Sequence, residues 1–214
     1  ARESSATIVV LCTPNNPTGG SLTREEIERI HDETGAIIVL DQAYVEFGGY
    51  DAIQLLAERP RLIVLRTFSQ AMALAGLRAG YLLGHPDLVR EISKAKLPYN
   101  LNFVTETVAA EVLRNRDLLA AQIEEMRTER DRVLDALGRM SGITVFPSDA
   151  NFILYRVDRV DLDQKAVFQS LLENEGVLVR DVSGYKMLER CLRVSVGSPA
   201  ENDAFLSGMA RILA

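Results

Sequence analysis

The chain sets an amide, a carboxylate, a phenol, two hydroxyls and a guanidinium just beyond three apolar runs that read as β-strands. Asn16 lies in the Asn-Pro-Thr-Gly turn after the first run. Asp41 and Tyr44 follow the second, and Thr67 and Ser69 follow the third, with Arg78 a short way beyond. In open parallel α/β sheets, ligands bind past the carboxyl ends of the strands. Gathered at such an edge, these groups could hold a polar aromatic ring carrying a phosphate. Each also has a plainer structural role. An Asp at a strand end caps or turns the chain, Asn-Pro-Thr-Gly is a common turn, and a single Arg is usually a solvated surface group. The argument rests on their joint occurrence in order.

The elements that must position them are legible in the hydrophobic pattern. Thr7–Cys12 reads as a buried strand ending at the turn Thr13–Gly20. Thr23-Arg24-Glu25-Glu26 fits a capping box that opens a helix to about Glu33, closed by Gly35. Ala36–Leu40 is the second strand and Leu62–Arg66 the third, with a helical stretch near Ile53–Glu58 between them. That alternation predicts a parallel sheet. From Val104 to Leu137 the pattern is helical, with a break near Asn115-Arg116-Asp117 and Gly138 as the expected C-cap. Beyond it the reading gives strands at Ile143–Phe146, Phe152–Tyr155, Val177–Arg180 and Cys191–Val196. It adds a helix at Leu162–Glu175 and a last helix opened by the capping box Ser198-Pro199-Ala200-Glu201. The expected fold is α/β, a partial large parallel-sheet domain over 1–103, a linking helical segment over 104–138 and a smaller α+β domain over 139–214.

Composition narrows the function classes. The 214 residues are 47% hydrophobic and 25% charged with a net charge of −6, which predicts a soluble globular chain with no nucleic-acid footprint. The absence of a long apolar run predicts no membrane partner. Cys12 and Cys191 have no metal-ligand spacing, and His31 and His85 are the two histidines, so no metal site is expected and a reducing, cytoplasmic setting is. His31 and His85 read as surface groups, Met72 and Met126 as packing residues, and Glu124–Arg132 as a solvated helix face. The opening Ala1-Arg2-Glu3-Ser4-Ser5, without Met or a leader pattern, reads like a piece of a longer chain.

Taken together, Asn15-Asn16-Pro17-Thr18-Gly19, Asp41-Gln42-Ala43-Tyr44 and Thr67-Phe68-Ser69-Gln70-Ala71 with Ala75-Gly76-Leu77-Arg78-Ala79-Gly80 resemble the fold-type I pyridoxal-phosphate aminotransferases. Within these the chain is most similar to the histidinol-phosphate aminotransferase group. The resemblance extends to Pro98–Asn102, Ala150–Ile153 and Leu192–Gly197. It implies pyridoxal 5'-phosphate as cofactor, a small-molecule amino donor and a 2-oxo acid as substrates, and a homodimer in the complete protein. It makes Asp41 the partner of the pyridine nitrogen, whose protonation lets the ring act as an electron sink. It gives Tyr44 and Asn16 the ring's phenolic oxygen. Arg78, Thr67 and Ser69 take the phosphate, which a planar guanidinium suits through paired charge-assisted bonds. Arg193 takes the substrate's anionic group, and Asn151 supports the site.

Two departures follow. The family carries lysine at the position of Gln70, where its amine forms the Schiff base and moves the proton. A carboxamide does neither, because its nitrogen lone pair is delocalised. The chain's four lysines, Lys94, Lys96, Lys165 and Lys186, offer no obvious substitute. The chain is therefore expected to be inactive as written and to hold the cofactor without a covalent bond to protein. Secondly, a family N-terminal portion that receives the phosphate on a helix start is not in this sequence, and the sheet is expected to show apolar edges. The implied activity is amino transfer between histidinol phosphate and 2-oxoglutarate in histidine biosynthesis. The alternatives are an aromatic aminotransferase, a phosphothreonine decarboxylase-like enzyme, or a non-catalytic binding or dimerisation remnant.

Overall fold

The computed structural model describes residues 6–214, so the expectation for Ala1–Ser5 lies outside the described residues. The chain divides into two compact units. One comprises residues 1–15 and 21–121, the other 16–20 and 122–214.

In the first unit, β1 (Ile8–Cys12), β2 (Ile37–Asp41) and β3 (Leu62–Thr67) are parallel, and β4 (Gly80–Gly84) pairs antiparallel with β3. The sheet order is β1-β2-β3-β4. Helix α1 (Arg24–Thr34) connects β1 to β2. Thr23 and Glu26 form the predicted capping box, and Gly35 closes the helix at φ 65°, a left-handed conformation that costs glycine nothing. The core is built from Ile27 of α1, Ile38 and Leu40 of β2, Leu62 and Val64 of β3, and Ala52 and Leu55.

Several elements depart from the sequence reading. The helix expected near Ile53–Glu58 is a short 3₁₀ turn at Ala52–Leu55, preceded by another at Val45–Phe47. The Asp51 carboxylate caps this turn through the Ile53 N–H, and the Leu56 N–H bonds three residues back to the Ile53 carbonyl. β1 is an edge strand rather than a buried one. Ile8 and Val10 are 56% and 63% exposed, because one face has no covering element among the described residues. β4 has no counterpart in the sequence reading. It is the antiparallel edge strand that otherwise parallel sheets commonly carry. Gly80 opens it in register with Thr67, where a Cβ would stand 2.7 Å from the Arg66 backbone oxygen. Helix α2 (Pro86–Ser93) follows, with the exposed His85 at its N-cap, and α3 (Phe103–Arg114) is separated by the expected break at Asn115 from α4 (Ala120–Gly138).

The second unit holds an antiparallel sheet of order β5-β6-β8-β7, from β5 (Ile143–Val145), β6 (Phe152–Val157), β7 (Arg180–Asp181) and β8 (Cys191–Ser195). Val133 and Leu137 of α4, Val167 and Leu171 of α5 (Gln164–Glu175), and Phe205 and Met209 of α6 (Pro199–Leu213) pack on Ile153, Tyr155, Leu192 and Val194. The predicted Ser198/Glu201 capping box opens α6. The strand expected at Val177–Arg180 is displaced to Arg180–Asp181, because Gly176 turns the chain at φ 66° and the Val177 N–H bonds back to Leu171. Gly138 ends α4 without a left-handed cap.

Two side-chain expectations are also corrected. His31 is buried, its Nδ1 2.8 Å from the Asp32 carboxylate, because it lies one turn after the buried Ile27 on the inward face of α1. The Glu124–Arg132 run is not wholly solvated. Glu129 and Arg130 are buried, where Glu129 binds Arg132 and Asn202, and the helical pairs are spaced i,i+3. Met72 and Met126 pack against apolar clusters as expected. Among the described residues no helix is long and apolar enough to cross a membrane, and no group of His, Cys, Asp or Glu could hold a metal ion.

Candidate functional site

In the first unit, the carboxyl ends of β2 and β3 bring Asp41, Thr67, Ser69, Gln70 and Arg78 to one open depression of about 440 Å³. The local chain geometry places each. Asp41 ends β2, and its Oδ1 accepts the Ala43 N–H at 3.1 Å, turning the chain toward Tyr44. Tyr44 is half-buried at the start of the Val45–Phe47 turn, outside the lining of that depression. The loop is fixed from within by the wholly buried Gln42, whose amide donates to the Tyr50 carbonyl at 2.7 Å and accepts from the Ala52 N–H at 3.2 Å. Arg66 adds a second tie, binding Glu46 at 3.2 Å and Asp51 at 2.6 Å with only 5% of its side chain exposed. Burial raises the Glu46 carboxyl above its ordinary value, and the Arg66 guanidinium opposes that shift. Neither Gln42 nor Arg66 was singled out in the sequence. Their only sequence signal is a polar residue inside or directly after a strand.

The Thr67 hydroxyl oxygen accepts the Ser69 N–H at 3.0 Å, which turns the chain at the end of β3. Arg78 is exposed in a left-handed conformation at φ 52° and commits one N–H to the Ala75 carbonyl at 3.0 Å. The Gln70 backbone carbonyl receives the Ala73 N–H at 2.9 Å. Its half-buried side-chain amide makes no hydrogen bond among the described residues. None of the four lysines lines this depression. Cys12, in register with Asp41, has its thiol pushed up by burial and by that carboxylate, so it stays protonated near neutral pH.

The second unit carries Asn16, Asn151 and Arg193. The Arg193 guanidinium donates to Asn16 Oδ1 at 2.7 Å and lies 4.8 Å from the centre of the Phe152 ring. Asn151 contributes its backbone carbonyl to the Val196 N–H at 2.9 Å. Segment 16–20 is held there by the Asp149 N–H, which donates to the Gly19 carbonyl at 2.9 Å. Gly19 has φ +81°, and a Cβ would come within 2.5 Å of Ser148 Oγ, so glycine is required. A residue the sequence reading passed over is Arg180. On β7 it is the register partner of Arg193 on β8, and both line a cavity of about 380 Å³ with Asp181 and Ser195. Two neighbouring guanidinium groups suit an anion bearing more than one charge.

A family model for aminotransferase class I and II matches residues 1–209. The histidinol-phosphate aminotransferase of Prosthecochloris aestuarii is 43% identical over 211 residues, which cover 98% of this chain and 58% of that protein. The chain thus spans about 58% of the length of that curated relative. Among solved structures, L-threonine-O-3-phosphate decarboxylase from Porphyromonas gingivalis is 28% identical with a TM-score of 0.87, over 100% of this chain and 66% of that one. The histidinol-phosphate aminotransferase of Sinorhizobium meliloti, solved in complex with pyridoxal-5'-phosphate, is 27% identical with a TM-score of 0.86, over 99% and 58%.

Proposed function

Because the chain belongs to the class I and II aminotransferase family, we propose that it is a pyridoxal 5'-phosphate-binding scaffold for amino transfer between histidinol phosphate and 2-oxoglutarate, with Gln70 in place of the amine that such transfer requires. The 43% identity to a histidinol-phosphate aminotransferase over 98% of the chain carries this reading.

The donor set in the depression suits the cofactor. Arg78 has N–H groups beyond the one given to Ala75, and the Thr67 and Ser69 hydroxyls stand beside it, a cationic and polar cradle for a phosphate dianion. Asp41 would keep the pyridine nitrogen protonated. Tyr44 would donate to the phenolic oxygen, the role the family resemblance gives it. When bound, the cofactor supplies an electron sink for charge developing at the substrate's Cα. Arg193, with Arg180 beside it in register, would bind the substrate's phosphate or carboxylate. Gln70 can donate and accept hydrogen bonds, but it can neither condense with an aldehyde nor take the Cα proton near neutral pH.

The family reading also carries a homodimer and a cytoplasmic setting. The apolar side chains of Leu97, Tyr99, Phe103 and Leu118, each at least 74% exposed, offer surface for a second copy, which sedimentation of the full-length protein tests.

The decisive assay places Gln70→Lys in the full-length protein and supplies histidinol phosphate and 2-oxoglutarate. Glutamate should form with the lysine variant and not with the parent. Carbon dioxide release from phosphothreonine instead would favour a decarboxylase, and failure of both forms to bind cofactor would overturn the reading.

A further inference from the structure

The Gln70 carboxamide lines the depression without a charge and, among the described residues, without a side-chain hydrogen-bond partner. Thr67 is engaged with Ser69, Asp41 with Ala43, and Arg78 with Ala75. Gln70 itself is half-buried, its backbone carbonyl accepts the Ala73 N–H, and its side-chain amide keeps its hydrogen-bonding capacity unspent.

We propose that Gln70 makes this site select the amine-bearing form of the cofactor, pyridoxamine 5'-phosphate, over the aldehyde form. The inference rests on the cofactor-holding reading above. The two forms share the ring and phosphate, so Asp41, Thr67, Ser69 and Arg78 would bind them alike, and discrimination would fall to Gln70, which stands where the family resemblance puts the amine that condenses with the aldehyde. Toward an aldehyde, a lysine would supply a covalent bond, whereas a carboxamide supplies at most a neutral N–H···O contact. Toward an aminomethyl group, protonated at neutral pH, the carboxamide oxygen accepts a charge-assisted hydrogen bond. Such bonds are roughly twice as strong as neutral ones. No bond is made or broken and no proton changes hands, so this is a binding preference only. Its size, roughly tenfold in dissociation constant, is that expected for exchanging a neutral hydrogen bond for an ionic one in a half-exposed site.

The test is a pair of titrations of the full-length protein with pyridoxamine 5'-phosphate and with pyridoxal 5'-phosphate, followed by ligand fluorescence and equilibrium dialysis. The expected result is tighter binding of the amine form by roughly tenfold. Gln70→Leu, which keeps the size and removes both hydrogen-bonding groups, should bring the two constants together. Gln70→Lys should reverse the order and yield a borohydride-stable adduct with the aldehyde. Equal or tighter binding of the aldehyde form by the parent overturns the selection while leaving the cofactor-holding reading intact. So does a preference that persists in Gln70→Leu. Binding of neither form by a folded parent overturns both.

Discussion

The two candidate ligand sites are built on opposite terms. In the first unit, Asp41 and Thr67 end parallel strands and Ser69, Gln70 and Arg78 follow on the chain beyond, half-buried or exposed, with spare hydrogen-bonding capacity. In the second unit, Arg180 and Arg193 stand on paired strands. Arg193 is already engaged with Asn16 and the Phe152 ring, above a core sealed by Tyr155 and Phe205. Polar groups on turns are spared for a ligand, whereas those on strands are positioned by the ladder itself. The difference predicts that mutations in the first set change binding with little effect on folding, and that mutations behind the second set change folding first.

The largest expected effect is on the second unit. Asn202 is 3% exposed, donates to Glu129 and to the Gly197 carbonyl, and accepts the Gly197 N–H. Asn202→Ala leaves the Gly197 N–H and carbonyl without their partner and removes one hydrogen bond from Glu129, which keeps Arg132, so chemical denaturation should register a loss of about 3 kcal/mol. A loss below about 1 kcal/mol would mean that water replaces the amide. Arg78→Ala probes the other side of the contrast. Removing an exposed guanidinium from a phosphate cradle should weaken pyridoxal 5'-phosphate about thirtyfold while the melting temperature stays unchanged. A matching drop in stability would erase the distinction between the two sites.

Acidification sharpens the contrast further. In the second unit, Arg132 holds the Glu129 carboxyl below its ordinary value, Thr144 does so for Asp158, Arg211 for Glu175 and Ser198 for Glu201. Their stabilisation is complete above the ordinary carboxylate range and is lost as pH falls through their depressed values. The first unit has the same sign at Glu25 and Asp32. At Glu46, by contrast, burial raises the value, so protonation on acidification favours the folded form. Segment-resolved hydrogen exchange between pH 6 and pH 3, a window taken as roughly the carboxylate range, should show the second unit opening before the first. The smallest effect is expected at Tyr155, whose buried hydroxyl has no hydrogen-bond partner among the described residues. Tyr155→Phe should be neutral or stabilising by up to about 1 kcal/mol, read by the denaturation midpoint.

The parallel strands, both capping boxes, the Asn115 break and the polar residues at the strand ends were all legible, because each depends on near neighbours and on alternation within one element. The misreadings share one cause. β1 reads as buried from Ile8-Val9-Val10-Leu11, and only the sheet order makes it an edge. Glu129, Arg130 and His31 read as surface groups by type, and their burial follows from which helix face the fold turns inward. β4 went unseen because Gly80-Tyr81-Leu82-Leu83-Gly84 is a short apolar run between glycines, extended only by its pairing with β3.

Sequence alone determined which chemistry is available: the strand-end set, the arginines and the amide of Gln70 where an amine would serve transamination. These are properties of side-chain type and order, and no fold can alter them. Tertiary structure decided which groups are spent and which are spare. It joined Arg193 to Asn16 across 177 residues, paired Arg180 with Arg193 through strand register, and left the Gln70 amide unpartnered in its depression. Hydrogen bonds act over a few ångströms, so whether a donor is free depends on where the chain returns, not on its neighbours in sequence.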